Sequence, residues 1–280
     1  MIANAFAYAC PATMDEAIKA LMRPGAAALA GGTWLVPDMG RAEQCPSSVV
    51  DLRRLGLRGA RIEGGAIVLG ACTTYEDLRS CRLVQASLPL LAIMAAGITG
   101  GRGITAQGTI GGSACYANPA SDVPGCLLAL GARLRLVSVG AVRDVPVASF
   151  FTGPFRTARL PEELLSAIIV DRPAGMPFAG YHKLKHSGGS WPIVTASCCL
   201  ERRGRLYASI AIGAGGPVPV GARAVLVPDD PGALDRLAEQ VLKALGDGWD
   251  DALADAEYRL AVAPEVVRRA TAAALEAMNG

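Results

Sequence analysis

The chain has 280 residues, 51% of them apolar, which is ample for a buried core in one large domain or two modest ones. Only 19% are charged and the formal net charge is +2, with the arginines scattered, so no electrostatic footprint for nucleic acid or an anionic membrane is visible. The eight cysteines, at 10, 45, 72, 81, 115, 126, 198 and 199, include no Cys-x-x-Cys and give neither zinc nor iron–sulfur spacing.

In chain order, Phe6 to Ala9 predicts a first strand, and the capping-box pattern Thr13-x-x-Glu16 opens a helix through Leu21 that Pro24-Gly25 ends. Ala27-Ala28-Leu29-Ala30 reads as a short buried strand running directly into Gly31-Gly32-Thr33-Trp34-Leu35. A short helix near Val36–Gly40 and a strand from Val49 to Leu52 complete a β-α-β unit, residues 1–55. Gly64-Gly65 is a two-residue hairpin signal between Arg61–Glu63 and Ala66–Leu69. Thr74-x-x-Asp77 caps a short helix, and Leu88 to Ala96 is apolar enough to be a buried one. The glycine-dense run Gly97 to Gly103 either lines a cleft or serves as a flexible connector. It holds no Gly-x-Gly-x-x-Gly, and the chain has no Gly-Lys pair, which excludes a Rossmann fingerprint and a Walker loop.

The stretch from Thr109 to Asp122 is the predicted centre of the protein. Gly111 and Gly112 are expected to take positive φ and admit a closely approaching ligand, with bare amides and the Thr109 and Ser113 hydroxyls around a phosphate. Either glycine pair alone is as consistent with an ordinary tight turn; two in similar settings suggest one long ligand, such as a dinucleotide anchored from separated parts of the chain. Asp122 begins a helix through Leu130, where it either caps the first turn or accepts a hydrogen bond from a ligand. Arg133–Val137 and Arg143–Val147 read as a hairpin around Gly140, and Pro161 to Val170 closes a second unit, residues 56–175, before a linker at 171–177.

In the last third, residues 176–280, three antiparallel strands are expected at Tyr181–Lys185, Val194–Leu200 and Arg205–Ile212. Helices follow near Ala233–Leu245 and Pro264–Met278, the second with proline in its first turn. As a strand, Tyr181, Lys183 and Lys185 share one face and His182, Leu184 and His186 the other. Metal binding by the two histidines would need a third ligand that the sequence does not offer.

Two of these stretches carry a resemblance. Ala30-Gly31-Gly32-Thr33-Trp34-Leu35 and Gly108-Thr109-Ile110-Gly111-Gly112-Ser113-Ala114, with Pro119 and Asp122 after the second, resemble the flavin loops of the FAD-binding medium subunit of molybdenum hydroxylases, the carbon monoxide dehydrogenase and xanthine dehydrogenase family. Leu69–Thr74, Pro161–Leu165, Tyr181–Leu184 and Ala256-Glu257-Tyr258-Arg259 extend it over nearly the whole chain. It implies an α+β fold: a two-subdomain FAD-binding fold (vanillyl-alcohol-oxidase/PCMH-like) followed by a C-terminal three-stranded antiparallel sheet with helices.

The same resemblance implies FAD contacts at Ala30, Gly31, Gly32, Thr33, Trp34 and Leu35, at Thr109, Ile110, Gly111, Gly112 and Ser113, and at Asp122, Leu165 and Lys183. Lys183 is expected either to stabilise reduced, anionic flavin or to stand on a solvated strand face. It also implies partners: a small subunit with two [2Fe–2S] clusters and a large molybdenum-pterin subunit, as a dimer of heterotrimers. The chain departs from the pattern at Ser113, more often asparagine, at Gln107, commonly basic, and at Trp34, which is larger than usual and either shields the ring or fills core. No side chain suggests a general base or nucleophile, which fits an electron relay. The other readings are a stand-alone FAD-dependent oxidoreductase of related fold and a flavin-free binding or scaffold protein. With no segment able to span a bilayer and no leader pattern, a cytoplasmic location is expected.

Overall fold

The computed structural model describes residues 2, 4–226, 230 and 232–280. Strands β1 (Ala7–Ala9), β2 (Ala26–Leu29) and β3 (Ser48–Asp51) form a parallel sheet of order β1-β3-β2, with helices α1 (Met14–Leu21) and α2 (Leu35–Gly40) in the crossovers. The Thr13/Glu16 capping box is formed on both sides and fixes where α1 begins.

A second, five-stranded sheet is built from β4 (Ala60–Glu63), β5 (Ala66–Gly70), β6 (Arg133–Ser138), β7 (Ala141–Pro146) and β10 (Leu164–Asp171), in the order β4-β5-β10-β6-β7. Between β5 and β6 run α3 (Tyr75–Ser80), α4 (Arg82–Ser87), α5 (Pro89–Ala96), α6 (Arg102–Thr105), α7 (Ile110–Tyr116) and α8 (Asp122–Leu130); a small ribbon, β8 (Phe151–Gly153) and β9 (Arg156–Thr157), precedes β10. The helices bury Leu78, Leu91, Met94, Ile110 and Leu127 against Ile67, Leu69, Leu134 and Ile168 of the sheet, which makes the largest core.

The last part is β11 (Met176–Lys185), β12 (Pro192–Arg203), β13 (Arg205–Gly213) and β14 (Val220–Leu226), antiparallel in chain order, with α9 (Ala233–Lys243) and α10 (Ala256–Asn279). Two expectations change here. The sheet has four strands rather than three, because Val220–Leu226 forms a strand although Gly221, Ala222 and Ala224 have poor β propensity; a Cβ at Gly221 would stand 2.8 Å from the Ile210 carbonyl oxygen. The final helix begins at Ala256, not at Pro264. Asp255 caps it by accepting the Tyr258 N–H at 2.8 Å, and burial of Ala263, Val266 and Val267 on the sheet outweighs the one hydrogen bond that Pro264 removes.

Helix α8 joins the two larger sheets. Gly125 lies so near Gly213 that a Cβ on it would come within 3.1 Å of the Gly213 nitrogen. This close contact brings the start of α8, and with it Asp122, up to the face of β11. Among the described residues no helix is long and apolar enough to cross a membrane, and no cluster of side chains fit to hold a metal ion is present.

Candidate functional site

The two glycine turns meet. Gly31 packs so tightly on the second turn that a Cβ would stand 1.9 Å from the Gln107 carbonyl oxygen, a backbone atom with no room to move away. Beside this contact opens a cavity of about 650 Å³, within the size range that encloses cofactors.

The turns play different parts from those expected. At the second, Thr109 is the N-cap of α7 and neither glycine has positive φ. The amides there are all taken: Ile110 donates to the Thr73 carbonyl at 3.0 Å, Gly111 to Ala71 at 2.9 Å, Gly112 to Thr109 Oγ1 at 3.0 Å and Ser113 to the Thr109 carbonyl at 3.1 Å. Gly111 is needed for protein packing, since a Cβ would lie 2.5 Å from the Ala71 oxygen. The anion nest is at the first turn instead. The amides from Gly31 to Leu35 have no acceptor among the described residues, all five residues line the cavity, and Gly32 takes the positive φ of 67° that turns them inward.

Ala30, Thr109, Gly111, Gly112, Ser113, Asp122 and Leu165 also lie on the wall. Two expected residues do not. Ile110 is fully buried in the core beneath it. Lys183 stands behind Asp122, whose Oδ1 it contacts at 2.9 Å with both side chains almost wholly buried. The Tyr181 hydroxyl, from the same strand face as Lys183, donates to the same Oδ1. Oδ2 of Asp122 receives no hydrogen bond among the described residues, so it remains an acceptor on the cavity wall. Asp122 does not cap its helix; Ser121 does, accepting the Val123 N–H at 3.4 Å.

Several lining residues escaped the sequence reading, four of them aromatic or cationic. Tyr75 and Tyr116 face inward from α3 and α7, Trp191 closes the rim, and Arg159 is the one cationic side chain among the described lining residues. Arg159 is anchored through Nη1 to the carbonyls of Leu160 and Glu163, at 2.9 and 2.8 Å. Trp34 lies on the wall within an aromatic group, 4.7 Å from Tyr116 and 5.7 Å from Trp191 between ring centres. Ile98, Thr99 and Gly100 make the glycine-dense run part of the wall.

Cys72 and Cys115 also line the cavity, and burial pushes each thiol up to about 11. At pH 8 both stay protonated and poorly nucleophilic. Alkylation followed by peptide mapping is expected to modify exposed Cys45 first and these two far more slowly; rapid labelling of either would contradict the enclosed wall.

The donor set is a run of free amides, one unpaired carboxylate oxygen, hydroxyls and an apolar aromatic wall. It fits an extended molecule with a phosphate, a hydroxylated stretch and a flat ring, the chemistry of a flavin dinucleotide.

Comparison with known proteins decides the matter. Residues 4–173 match the family described as the FAD binding domain in molybdopterin dehydrogenase. The chain belongs to that family. As such an FAD-binding chain it is similar to the carbon monoxide dehydrogenase medium chain of Hydrogenophaga pseudoflava, 32% identical over 98% of both chains. It is likewise similar to that of Afipia carboxidovorans, 33% identical over 96% of both. A crystal structure of Cu,Mo-CO dehydrogenase superposes with a TM-score of 0.89 at 32% identity, covering 98% of this chain and 99% of the other. The protein is an FAD-containing oxidoreductase subunit of the molybdenum hydroxylase medium-chain type, with the mixed helix and strand fold of those structures.

Proposed function

We propose that this chain is the electron-exit subunit of a molybdenum hydroxylase. In this reading it receives electrons from [2Fe–2S] clusters of a small subunit, after a large molybdenum-pterin subunit has oxidised the substrate, and delivers them to an external acceptor. The observation that carries the reading is the meeting of the two glycine turns beside one cavity whose lining thiols, Cys72 and Cys115, burial keeps protonated. Such a wall positions and shields a cofactor without taking part in bond breaking. Bound FAD exchanges electrons singly or in pairs, the property needed between one-electron clusters and a two-electron acceptor.

The residues divide the work of holding it. The free amides of Gly31 to Leu35 receive the diphosphate, whose charge they offset without a cationic side chain. Thr109, Gly112 and Ser113 of the second turn bound the middle of the ligand. Asp122 accepts through Oδ2, while Lys183, expected at the flavin itself, acts through Asp122 by fixing its direction. Leu165 and the aromatic group give flat apolar walls. The division of the chain at 55 and 175 is supported by the three separate sheets. The same reading includes assembly as a dimer of heterotrimers and a cytoplasmic location.

The test is to purify the chain with its co-purifying subunits and strip the flavin. Substrate is expected to reduce the [2Fe–2S] clusters as before, while transfer to the external acceptor is lost. Undiminished acceptor reduction by the flavin-free assembly would refute the relay role.

A further inference from the structure

We propose that the hydroxyl pair of Tyr75 and Ser113 determines how the cavity grips the ribityl polyol of the coenzyme; this rests on reading the cavity as an FAD site. Tyr75 is 5% exposed and on the cavity wall. Its position is fixed from several sides. The Thr74/Asp77 capping box sets the start of α3, with Thr74 N–H to Asp77 Oδ2 at 3.0 Å and Asp77 N–H to Thr74 Oγ1 at 3.1 Å. Arg58 holds the Asp77 carboxylate in a two-pronged contact at 2.6 and 2.8 Å. The Tyr75 N–H donates to the Gly108 carbonyl at 3.2 Å. Its ring lies on Gly108 so closely that a Cβ there would come within 2.8 Å of it. The phenol therefore cannot swing away, and its oxygen is held against Ser113 Oγ in a short hydrogen bond.

Two hydroxyls bring two protons, and only one lies between their oxygens. Neither side-chain oxygen has another partner among the described residues. The second proton is thus free to donate to a ligand, and it stays in place because burial, and next the charge of Asp122, raise the phenol above its ordinary value. Tyr75, Ser113 and Asp122 all line this one cavity. Between them stand a donor and an unshared carboxylate oxygen. Phosphate oxygens only accept, and the Asp122 charge repels them; a ring edge offers few hydrogen-bonding atoms. Sugar-alcohol hydroxyls both give and take, which matches a wall with one of each.

The experiment uses the full chain with its co-purifying subunits, freed of flavin and titrated separately with FAD and with ADP, which has the diphosphate and adenosine but no ribityl chain. Removing both hydroxyls in Tyr75→Phe/Ser113→Ala is expected to weaken FAD binding about tenfold, as the loss of one buried hydrogen bond does, and to leave ADP binding unchanged. Equal loss for both ligands, or no loss for FAD, overturns the proposal. If thermal melting shows that the double variant is unfolded, Ser113→Ala alone carries the test, since it leaves the Tyr75 ring and its contacts in place. It is then expected to weaken FAD about threefold and ADP not at all, and an unchanged FAD affinity overturns the proposal. Failure of the unsubstituted protein to bind FAD would instead bring down the reading of the cavity, a result the wild-type titration reports separately.

Discussion

Replacing Gly31 with alanine is expected to strip the chain of its flavin. A methyl group at this position would stand 1.9 Å from the Gln107 oxygen and 2.7 Å from its carbon, so the two turns must separate. Forced overpacking of this kind costs about 1–3 kcal/mol. The strain falls where the free amides of Gly31 to Leu35 must keep their aim, and a loss of FAD affinity on the order of a hundredfold, about 2.7 kcal/mol, is the expected result. Flavin absorbance of the purified variant and titration with FAD measure it. Full flavin content would show that the contact between the turns is not needed. Gly111 is a poorer probe, because a side chain there collides with Ala71 in the protein itself and injures folding and binding together. Gly112 separates the two: a Cβ there meets only the Thr109 hydroxyl, at 2.8 Å.

The second large effect concerns stability. Arg259, the last residue of the Ala256-Glu257-Tyr258-Arg259 motif, is completely buried. Its guanidinium donates to the carbonyls of Ile193 and Ala214, at the latter at 2.6 Å, and pairs with Asp251. One planar fork thus ties α10 to the entry of β12, the exit of β13 and the loop before the helix. Arg259→Ala leaves the two buried carbonyls without a donor and the solvent-accessible Asp251 carboxylate without its partner, for an expected loss of about 2–4 kcal/mol. Lysine should rescue little, since a single ammonium cannot reach all three directions. Denaturant unfolding of the variants checks both statements; a loss under about 1 kcal/mol would mean the network adds nothing. Burial alone would raise the Asp251 carboxyl, but the Leu253 N–H, the Trp249 indole and the Arg259 charge outweigh it and hold it below its usual value. The stability this confers is present above the ordinary carboxylate range and is lost as the pH falls through the lowered value.

Local signals carried much of the fold. Capping boxes at Thr13 and Thr74, the Gly64-Gly65 and Gly140 turns and the alternation of Tyr181, Lys183 and Lys185 each act within a few residues, so they are legible in one dimension. What misled was tertiary override. Gly111 and Gly112 are poor helix formers, yet α7 forms because the bare Gly111 lets it lie on Ala71. Pro264 reads as a helix start and stands inside a helix. The wall residues Tyr75 and Arg159 left no pattern, since an inward tyrosine on a short helix looks like core and one arginine among many looks like surface. The Asp122–Lys183 pair was legible as two candidates but not as partners, because sixty-one positions separate them and only the seating of α8 on the last sheet joins them.

The central claim is that the free amides between Gly31 and Leu35 take the diphosphate of an FAD lying along the cavity between the two turns. A crystal structure of the chain with FAD tests it most directly. Phosphate oxygens are expected within hydrogen-bond reach of those amides, and the flavin's polyol beside Asp122. A coenzyme bound away from the first turn, or with its phosphates facing the occupied amides of α7, would contradict it.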